Sequence, residues 1–408
     1  MNFLVSHSNK KINTSFDISG SKSESNRLLI LKHLLGNIEI KNLSDSDDTN
    51  VLHKALSSKS KIADVSHAGT AMRFLTAYFS VQENKCYKIY GSKRMHSRPI
   101  KTLVDSLIDL GANINYLGKK GYPPLEINGK KLDKFKVSLD ANISSQFITA
   151  LILIAPSLKK GLVINLLGDI TSRPYIEMSL LILRRIGVHV SFANNQIKIK
   201  PFINEKNIVQ TVESDWSSLS YFYSISALSN DSNLNIGSFN FNSIQGDKKL
   251  IEIYKKLGVQ TLFENKTVNL KKDKNFSLPK KLVLELNDTP DLAQTISVTC
   301  FGLGIACDLY GLKTLKIKET DRLKALKNEL EKLGANVNIT NKSFHLKKRT
   351  KFRSNVIIET YEDHRMAMAF TPLALLKPII INNPKVISKS FPSFWTILSK
   401  LSFDISEC

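Results

Sequence analysis

The chain has 408 residues, 42% hydrophobic and 23% charged, with a formal net charge of +22. That composition suits one large or two ordinary globular domains with a real core. No apolar run approaches the roughly 20 residues of a membrane-spanning helix, and four scattered cysteines (Cys86, Cys300, Cys307, Cys408) exclude a disulfide framework or a zinc cluster.

In chain order, Met1-Asn2-Phe3-Leu4-Val5-Ser6-His7 lacks the long apolar region of a signal peptide, so a cytoplasmic location is expected. Gly20-Ser21-Lys22-Ser23-Glu24-Ser25-Asn26-Arg27 then precedes the apolar run Leu28-Leu29-Ile30-Leu31. This places hydroxyls and two cations at a helix N-terminus, whose free N–H groups and dipole attract anions. Polar helix starts recur at His67-Ala68-Gly69-Thr70-Ala71-Met72-Arg73, Ile143-Ser144-Ser145-Gln146-Phe147, Trp216-Ser217-Ser218-Leu219-Ser220, Pro290-Asp291-Leu292-Ala293-Gln294 and Glu362-Asp363-His364-Arg365-Met366. Each leads into an apolar helix such as the stretch from Phe147 to Ile154. Between them a second phrase repeats: Leu110-Gly111-Ala112, Ile186-Gly187-Val188, Leu257-Gly258-Val259 and Leu333-Gly334-Ala335. Each follows a segment of helical spacing, such as Asp321 to Lys332, and precedes alternating residues. The glycine reads as the residue that closes a helix, with a strand after it. Intervals of 76, 71 and 76 residues separate the four glycines, too regular for chance. The pattern predicts six copies of an α/β unit, each with one buried apolar helix and one amphipathic helix. Six buried helices whose N-termini carry Ser, Thr, Gln, Lys and Arg can converge on one anion site.

Nine motifs carry a resemblance that covers essentially the whole chain. They are Gly20-Ser21-Lys22-Ser23, Ala68-Gly69-Thr70-Ala71-Met72-Arg73, Arg94-Met95-His96-Ser97-Arg98-Pro99, Ser144-Ser145-Gln146-Phe147, Ser172-Arg173-Pro174-Tyr175, Pro290-Asp291, Lys318-Glu319-Thr320-Asp321-Arg322, Asp363-His364-Arg365-Met366 and Lys389-Ser390-Phe391-Pro392. In this order and spacing the chain resembles the 5-enolpyruvylshikimate-3-phosphate synthase family. The resemblance implies an α/β fold of two similar domains, each of three βαβαββ units with the buried helices inside, an inside-out α/β barrel. One domain would span 20–214; the other would combine 1–19 with 215–408. Substrates would bind in the cleft of a monomer, whose domains close on them.

The implied reaction joins phosphoenolpyruvate to the 5-hydroxyl of shikimate 3-phosphate and releases phosphate through a tetrahedral intermediate, a step in aromatic amino acid biosynthesis. It requires no metal and no cofactor. Resemblance assigns shikimate 3-phosphate to Lys22, Ser23, Arg27, Ser144, Ser145, Ser172, Tyr175, Asp291, Thr314 and Lys318. It assigns phosphoenolpyruvate to Lys22, Gly69, Arg94, Gln146, Arg322, Arg365 and Lys389. Arginine suits phosphate and carboxylate alike, since its planar fork binds two oxygens at once, and Gly69 would let a ligand approach the backbone. Asp291 is the expected base for the 5-hydroxyl and Glu319 the proton donor at the methylene carbon, with Lys22 assisting. Three positions depart from the family pattern: His67 for asparagine, Phe74 for proline, and Thr314 for an asparagine that contacts shikimate.

Two rivals remain at this level. The sister enzyme that transfers enolpyruvate to UDP-N-acetylglucosamine carries an asparagine after its early lysine and a catalytic cysteine or aspartate before the Arg94 region. Here Ser23 follows Lys22, and Tyr90-Gly91-Ser92-Lys93 has neither residue. A basic nucleic-acid-binding protein is the other rival. Its lysines would cluster with aromatics, whereas here they spread along the whole chain and Asp291 and Glu319 would repel a phosphate backbone. Small polyanions are therefore the expected partners, with neither nucleic acid nor membrane.

Overall fold

The computed structural model describes all 408 residues, Met1–Cys408. The chain divides into two compact units: Gly20–Val212, and Met1–Ser19 together with Glu213–Cys408. Glu213 and Ser214, expected at the end of the contiguous domain, fold with the split unit. Glu213 Oε1 accepts from Trp216 Nε1 and the Asn240 amide, each at 2.8 Å, and Ser214 Oγ donates to the Ile18 carbonyl.

Twelve helices come in six pairs, an inner apolar helix followed by an outer amphipathic one. In Gly20–Val212 they are α1 (Lys22–Leu35) and α2 (Asp47–Ser57), α3 (Gly69–Ser80) and α4 (Lys101–Asp109), α5 (Ser145–Ile154) and α6 (Arg173–Arg185). In the split unit they are α7 (Trp216–Leu228) and α8 (Leu250–Lys255), α9 (Ala293–Leu303) and α10 (Arg322–Lys332), α11 (His364–Phe370) and α12 (Phe394–Lys400). The sequence explains the two kinds. Every residue of α5 from Phe147 to Ile154 is buried, so that helix must be enclosed on all sides. By contrast α10 buries Leu323, Ala325, Leu326 and Leu330 and turns Lys324 and Glu331 outward. Within each unit the three inner helices pack on one another: α1, α3 and α5 in one, α7, α9 and α11 in the other. None of the twelve is long and apolar enough to cross a membrane.

Each pair is wrapped by a sheet with a fixed order. Ile62–Asp64 runs parallel to Cys86–Tyr90, which pairs antiparallel with Leu125–Asn128, which pairs antiparallel with Asn113–Tyr116. The inner helix connects the two parallel strands and the outer helix leads to the hairpin, a βαβαββ unit. The sheets that contain Lys136–Asp140 and Lys281–Glu285 repeat this order. Two sheets of the split unit take a strand from residues 1–19. Lys11–Asp17 lies parallel to Asp231–Gly237, and Asn2–Ser6 lies antiparallel between Ile379–Asn382 and Asp404–Glu407.

One unit is abbreviated. Ile38–Lys41 pairs in parallel with Ile208–Thr211 alone, and α2 passes into Ile62–Asp64 with no hairpin between. The helix-closing glycines take the conformation their phrase predicts, with φ of 107°, 98°, 78° and 99° at Gly111, Gly187, Gly258 and Gly334. After α12 the same place is held by Ser402, at φ 63°.

Candidate active site

In Gly20–Val212 the sequence-assigned residues sit where helices begin. Ser21 precedes α1 without capping it, and Lys22 Nζ lies 3.2 Å from Asp48 Oδ2 in the first turn of α2. Arg27, one turn on, is 4% exposed. Its Nη1 donates to the Ser23 carbonyl (2.6 Å), its Nη2 to the Tyr175 carbonyl (3.0 Å), and its Nε to Ser179 Oγ (2.8 Å). Burial pulls its pKa down to about 10, against the pull of Tyr175 and Glu24, so it stays a cation at neutral pH. Arg27 thus forms a floor beneath Ser23 and Tyr175.

The first turns of α3 and α5 are tied by Gln146 Nε2, which donates to Thr70 Oγ1 at 3.2 Å. Ser144 caps α5 by accepting from the Gln146 amide, and Ser145 is the first helical residue. Ser172 stands at the N-cap of α6 in a left-handed conformation, φ 55° and ψ 41°. Gly69 opens α3, and a side chain of the protein fills the space that a Cβ would take. A Cβ there would lie 2.4 Å from Arg98 Nη1 and 2.9 Å from its Cζ and Nη2. The guanidinium on Gly69 is therefore that of Arg98, whereas Arg94 is exposed, its Nη1 3.5 Å from Ser97 Oγ.

In the split unit a charge network is centred on Arg322, 2% exposed at the start of α10. Its Nη1 meets Asp291 Oδ1 at 2.8 Å, its Nη2 Glu319 Oε2 at 2.7 Å, and its Nε Asp363 Oδ2 at 2.6 Å. Asp291 lies on a single 3-10 turn just before α9, and Asp363 caps α11. Lys318 Nζ is 3.2 Å from Asp291 Oδ1, and Arg365 Nη2 is 3.6 Å from Asp291 Oδ2. Burial opposes the charge on Asp291, but Lys318, Arg365 and Arg322 together hold its carboxyl well below the usual carboxylate range. Burial likewise pulls Arg322 down, and the carboxylates of Asp363, Glu319 and Asp291 outweigh it and push its pKa up.

The network runs on. Arg365 Nη2 donates to Ser217 Oγ (3.3 Å) at the start of α7, and Ser217 Oγ donates to Asp247 Oδ2. Burial pushes the Asp247 carboxyl up to about 6, against Arg365 and Ser217. Lys389 Nζ reaches the Glu362 carbonyl at 3.4 Å, and Tyr361 and Glu362 are both left-handed, φ 53° and 54°, where the chain turns into α11. The Thr314 hydroxyl is buried and meets no protein partner.

Each unit therefore presents charged and hydroxyl groups at the N-termini of its three inner helices. Sequence reasoning missed Asp48, Arg98, Ser217, Asp247 and Asp363 as parts of these sites. Asp363 was legible as a helix cap, and Asp48 as an acidic first turn. Nothing in the order of residues separates Arg98 from Arg94. A carboxylate among three cations, beside a second carboxylate, can move a proton while anions lodge on the cations.

Comparison with known proteins fits this arrangement. The model of the family "EPSP synthase (3-phosphoshikimate 1-carboxyvinyltransferase)" matches residues 52–398. A 3-phosphoshikimate 1-carboxyvinyltransferase from Bacteroides fragilis (strain YCH46) is 42% identical over 409 residues, 99% of each chain. One from Neisseria meningitidis serogroup C is 34% identical over 415 residues, 94% of this chain and 95% of the relative. The solved EPSP synthase from Acinetobacter baumannii shares the fold, with a TM-score of 0.78 over 100% of both chains at 20% identity. The chain belongs to the EPSP synthase (3-phosphoshikimate 1-carboxyvinyltransferase) family.

Proposed function

We propose that this chain transfers the enolpyruvyl group of phosphoenolpyruvate to the 5-hydroxyl of shikimate 3-phosphate and releases phosphate. The observation that carries the reading is Asp291, a carboxylate gripped by Lys318, Arg322 and Arg365 with Glu319 on the same arginine.

Shikimate 3-phosphate takes its phosphate contacts from Ser144, Ser145 and Ser172, and its ring contacts from Lys22, Ser23, Tyr175, Asp291, Thr314 and Lys318, with Arg27 as the floor. Phosphoenolpyruvate takes Lys22, Gly69, Arg94, Gln146, Arg322, Arg365 and Lys389. With only protein cations around it, Asp291 is ionised but a feeble base. Anionic substrates redirect Lys318, Arg322 and Arg365 toward themselves, and the carboxylate then gains proton affinity as the 5-hydroxyl reaches it. The hydroxyl oxygen bonds to C2 of phosphoenolpyruvate, its proton passes to Asp291, and C3 receives a proton that Glu319 takes up as the anionic substrates bind. Elimination reverses the proton flow at C3: a C3 proton returns to Glu319, the C2–O bond to phosphate breaks, the enol ether double bond forms, and the proton held by Asp291 leaves with the phosphate. Arg322, which holds both carboxylates, keeps the two proton carriers in register.

Phosphate release tests the reading. Purified protein with phosphoenolpyruvate should release phosphate with shikimate 3-phosphate and not with UDP-N-acetylglucosamine, and Asp291→Asn should lower kcat by roughly 10²-fold or more, within the usual span of acid–base contributions. Release with UDP-N-acetylglucosamine would move the chain to the sister activity. No release with either acceptor, from folded protein, would end the proposal.

A further inference from the structure

Glu329 is fully buried in α10, seven residues after Arg322, so about two helical turns bring both side chains to one face of that helix. Both hold the segment Glu359–Asp363 that leads into α11. Arg322 Nε meets Asp363 Oδ2 at 2.6 Å. Glu329 Oε2 accepts from the Glu359 amide at 3.0 Å, and its Oε1 accepts from the Tyr361 hydroxyl at 2.6 Å. Lys332 Nζ, 2.7 Å from Oε2, supplies the counter-charge that a buried carboxylate needs. One helix face thus grips the segment at both ends. Between the grips stand Tyr361 and Glu362, left-handed at φ 53° and 54°. Two successive residues with side chains in that conformation are strained, and they persist only where the surrounding contacts over-determine the backbone. Asn382 Nδ2 on Glu359 Oε1 (3.3 Å) and Asn383 Nδ2 on Glu362 Oε1 (2.9 Å) add to the hold. The turn directs the Glu362 carbonyl to Lys389 Nζ, and the Asp363 carboxylate to Arg322 and the Arg365 amide.

We propose that Glu329 is a positioning residue for phosphoenolpyruvate. Through Tyr361 and the Glu359 amide it fixes the strained turn, and the turn aims the two acceptors, Asp363 and the Glu362 carbonyl, that set Arg322, Arg365 and Lys389. The positioning rests on contacts within the split unit; the identity of the ligand rests on the function proposed above. A hydroxyl is then required at residue 361. Phenylalanine would fill nearly the same volume, but it would leave a buried carboxylate oxygen one donor short, and the loss would fall on the turn.

Tyr361→Phe and Glu329→Gln test this against Leu330→Val, which removes a buried methylene from the same helix and none of these hydrogen bonds. Two NMR reporters read the positioning without turnover: the Arg322 Nε resonance, assigned by its loss in Arg322→Lys, and the Arg365 backbone amide, bonded to the same Asp363 carboxylate. Both should shift in Tyr361→Phe and further in Glu329→Gln. In turnover, Tyr361→Phe should raise KM for phosphoenolpyruvate at least fivefold, with KM for shikimate 3-phosphate within twofold of wild type. Leu330→Val should lower the urea midpoint and leave both reporters and both KM values in place. Reporters unmoved in Tyr361→Phe and Glu329→Gln overturn the positioning role, whatever the kinetics. Reporters that move as far in Leu330→Val overturn it too, since general loosening then accounts for the shift. Shifted reporters with KM for phosphoenolpyruvate within twofold of wild type overturn the link to that substrate. Shifted reporters in a protein whose wild type shows no turnover keep the positioning of Arg322 and remove the proposed function. If Glu329→Gln fails to fold, Tyr361→Phe carries the test alone.

Discussion

At the scale of single residues, the site is a contest between burial and charge. Arg322 wins because three carboxylates compensate one desolvated cation. Asp247 loses: Arg365, Ser217, Asp291 and Asp215 face it, and the desolvation of its carboxyl outweighs the attraction of Arg365. Its folded-state pKa, about 6, lies above its ordinary 3.8. The folded protein therefore holds a proton that the unfolded chain has released, and stability falls as pH rises through that window. A shift of two units corresponds to about 3 kcal/mol. Urea midpoints from pH 4 to 8 should show wild type losing up to that amount relative to Asp247→Asn between pH 4 and 7, with a constant difference above. Parallel curves across the whole range would show that Asp247 does not titrate there.

At the scale of elements, the helix starts and helix-closing glycines were legible because they depend on local backbone chemistry. A free N–H group needs an acceptor and a left-handed residue favours glycine, wherever the rest of the chain lies. The phrase was found four times where six units exist, and the two gaps differ in kind. After α12 it is present as Leu401-Ser402-Phe403, with Ser402 at φ 63° in the glycine's place and the strand Asp404–Glu407 following. After α2 it is absent, because the hairpin it would introduce does not exist. Ser402 is exposed and bears the conformational cost of its side chain. Ser402→Gly should raise stability by about 1 kcal/mol, seen as a higher urea midpoint, with unchanged turnover. A lower midpoint would mean that the serine side chain stabilises this turn. The charged network was less legible. Asp291 and Arg322 stand at the starts of two helices of one unit and Asp363 in the next, and only the packing of α9, α10 and α11 brings both carboxylates within 2.8 Å of one guanidinium. Arg98 shows the same limit: its proximity to Gly69 is a fact of folding across a loop, not of spacing.

At the scale of the whole molecule, a net charge of +22 creates a field that favours anionic ligands from a distance. Screening shortens that reach to about 10 Å at 0.1 M salt. KM for both proposed substrates should rise severalfold between 20 and 500 mM NaCl while kcat changes little. Salt-independent KM values would confine the electrostatics to the ion-paired groups themselves.

The strand Asn2–Ser6 lies between Ile379–Asn382 and Asp404–Glu407, and Lys11–Asp17 pairs with Asp231–Gly237. On the ribosome these two strands emerge ahead of the rest of their unit, and one of them must wait for Ile379–Asn382 and Asp404–Glu407. Gly20–Val212 is contiguous and can complete while both strands still carry bare ladder groups. Throughout that interval each nascent chain offers an unpaired template to its neighbours on the same messenger. Slow elongation through residues 213–408 prolongs the exposure, so aggregation during synthesis should depend on the pace of translation in the second half of the message rather than the first.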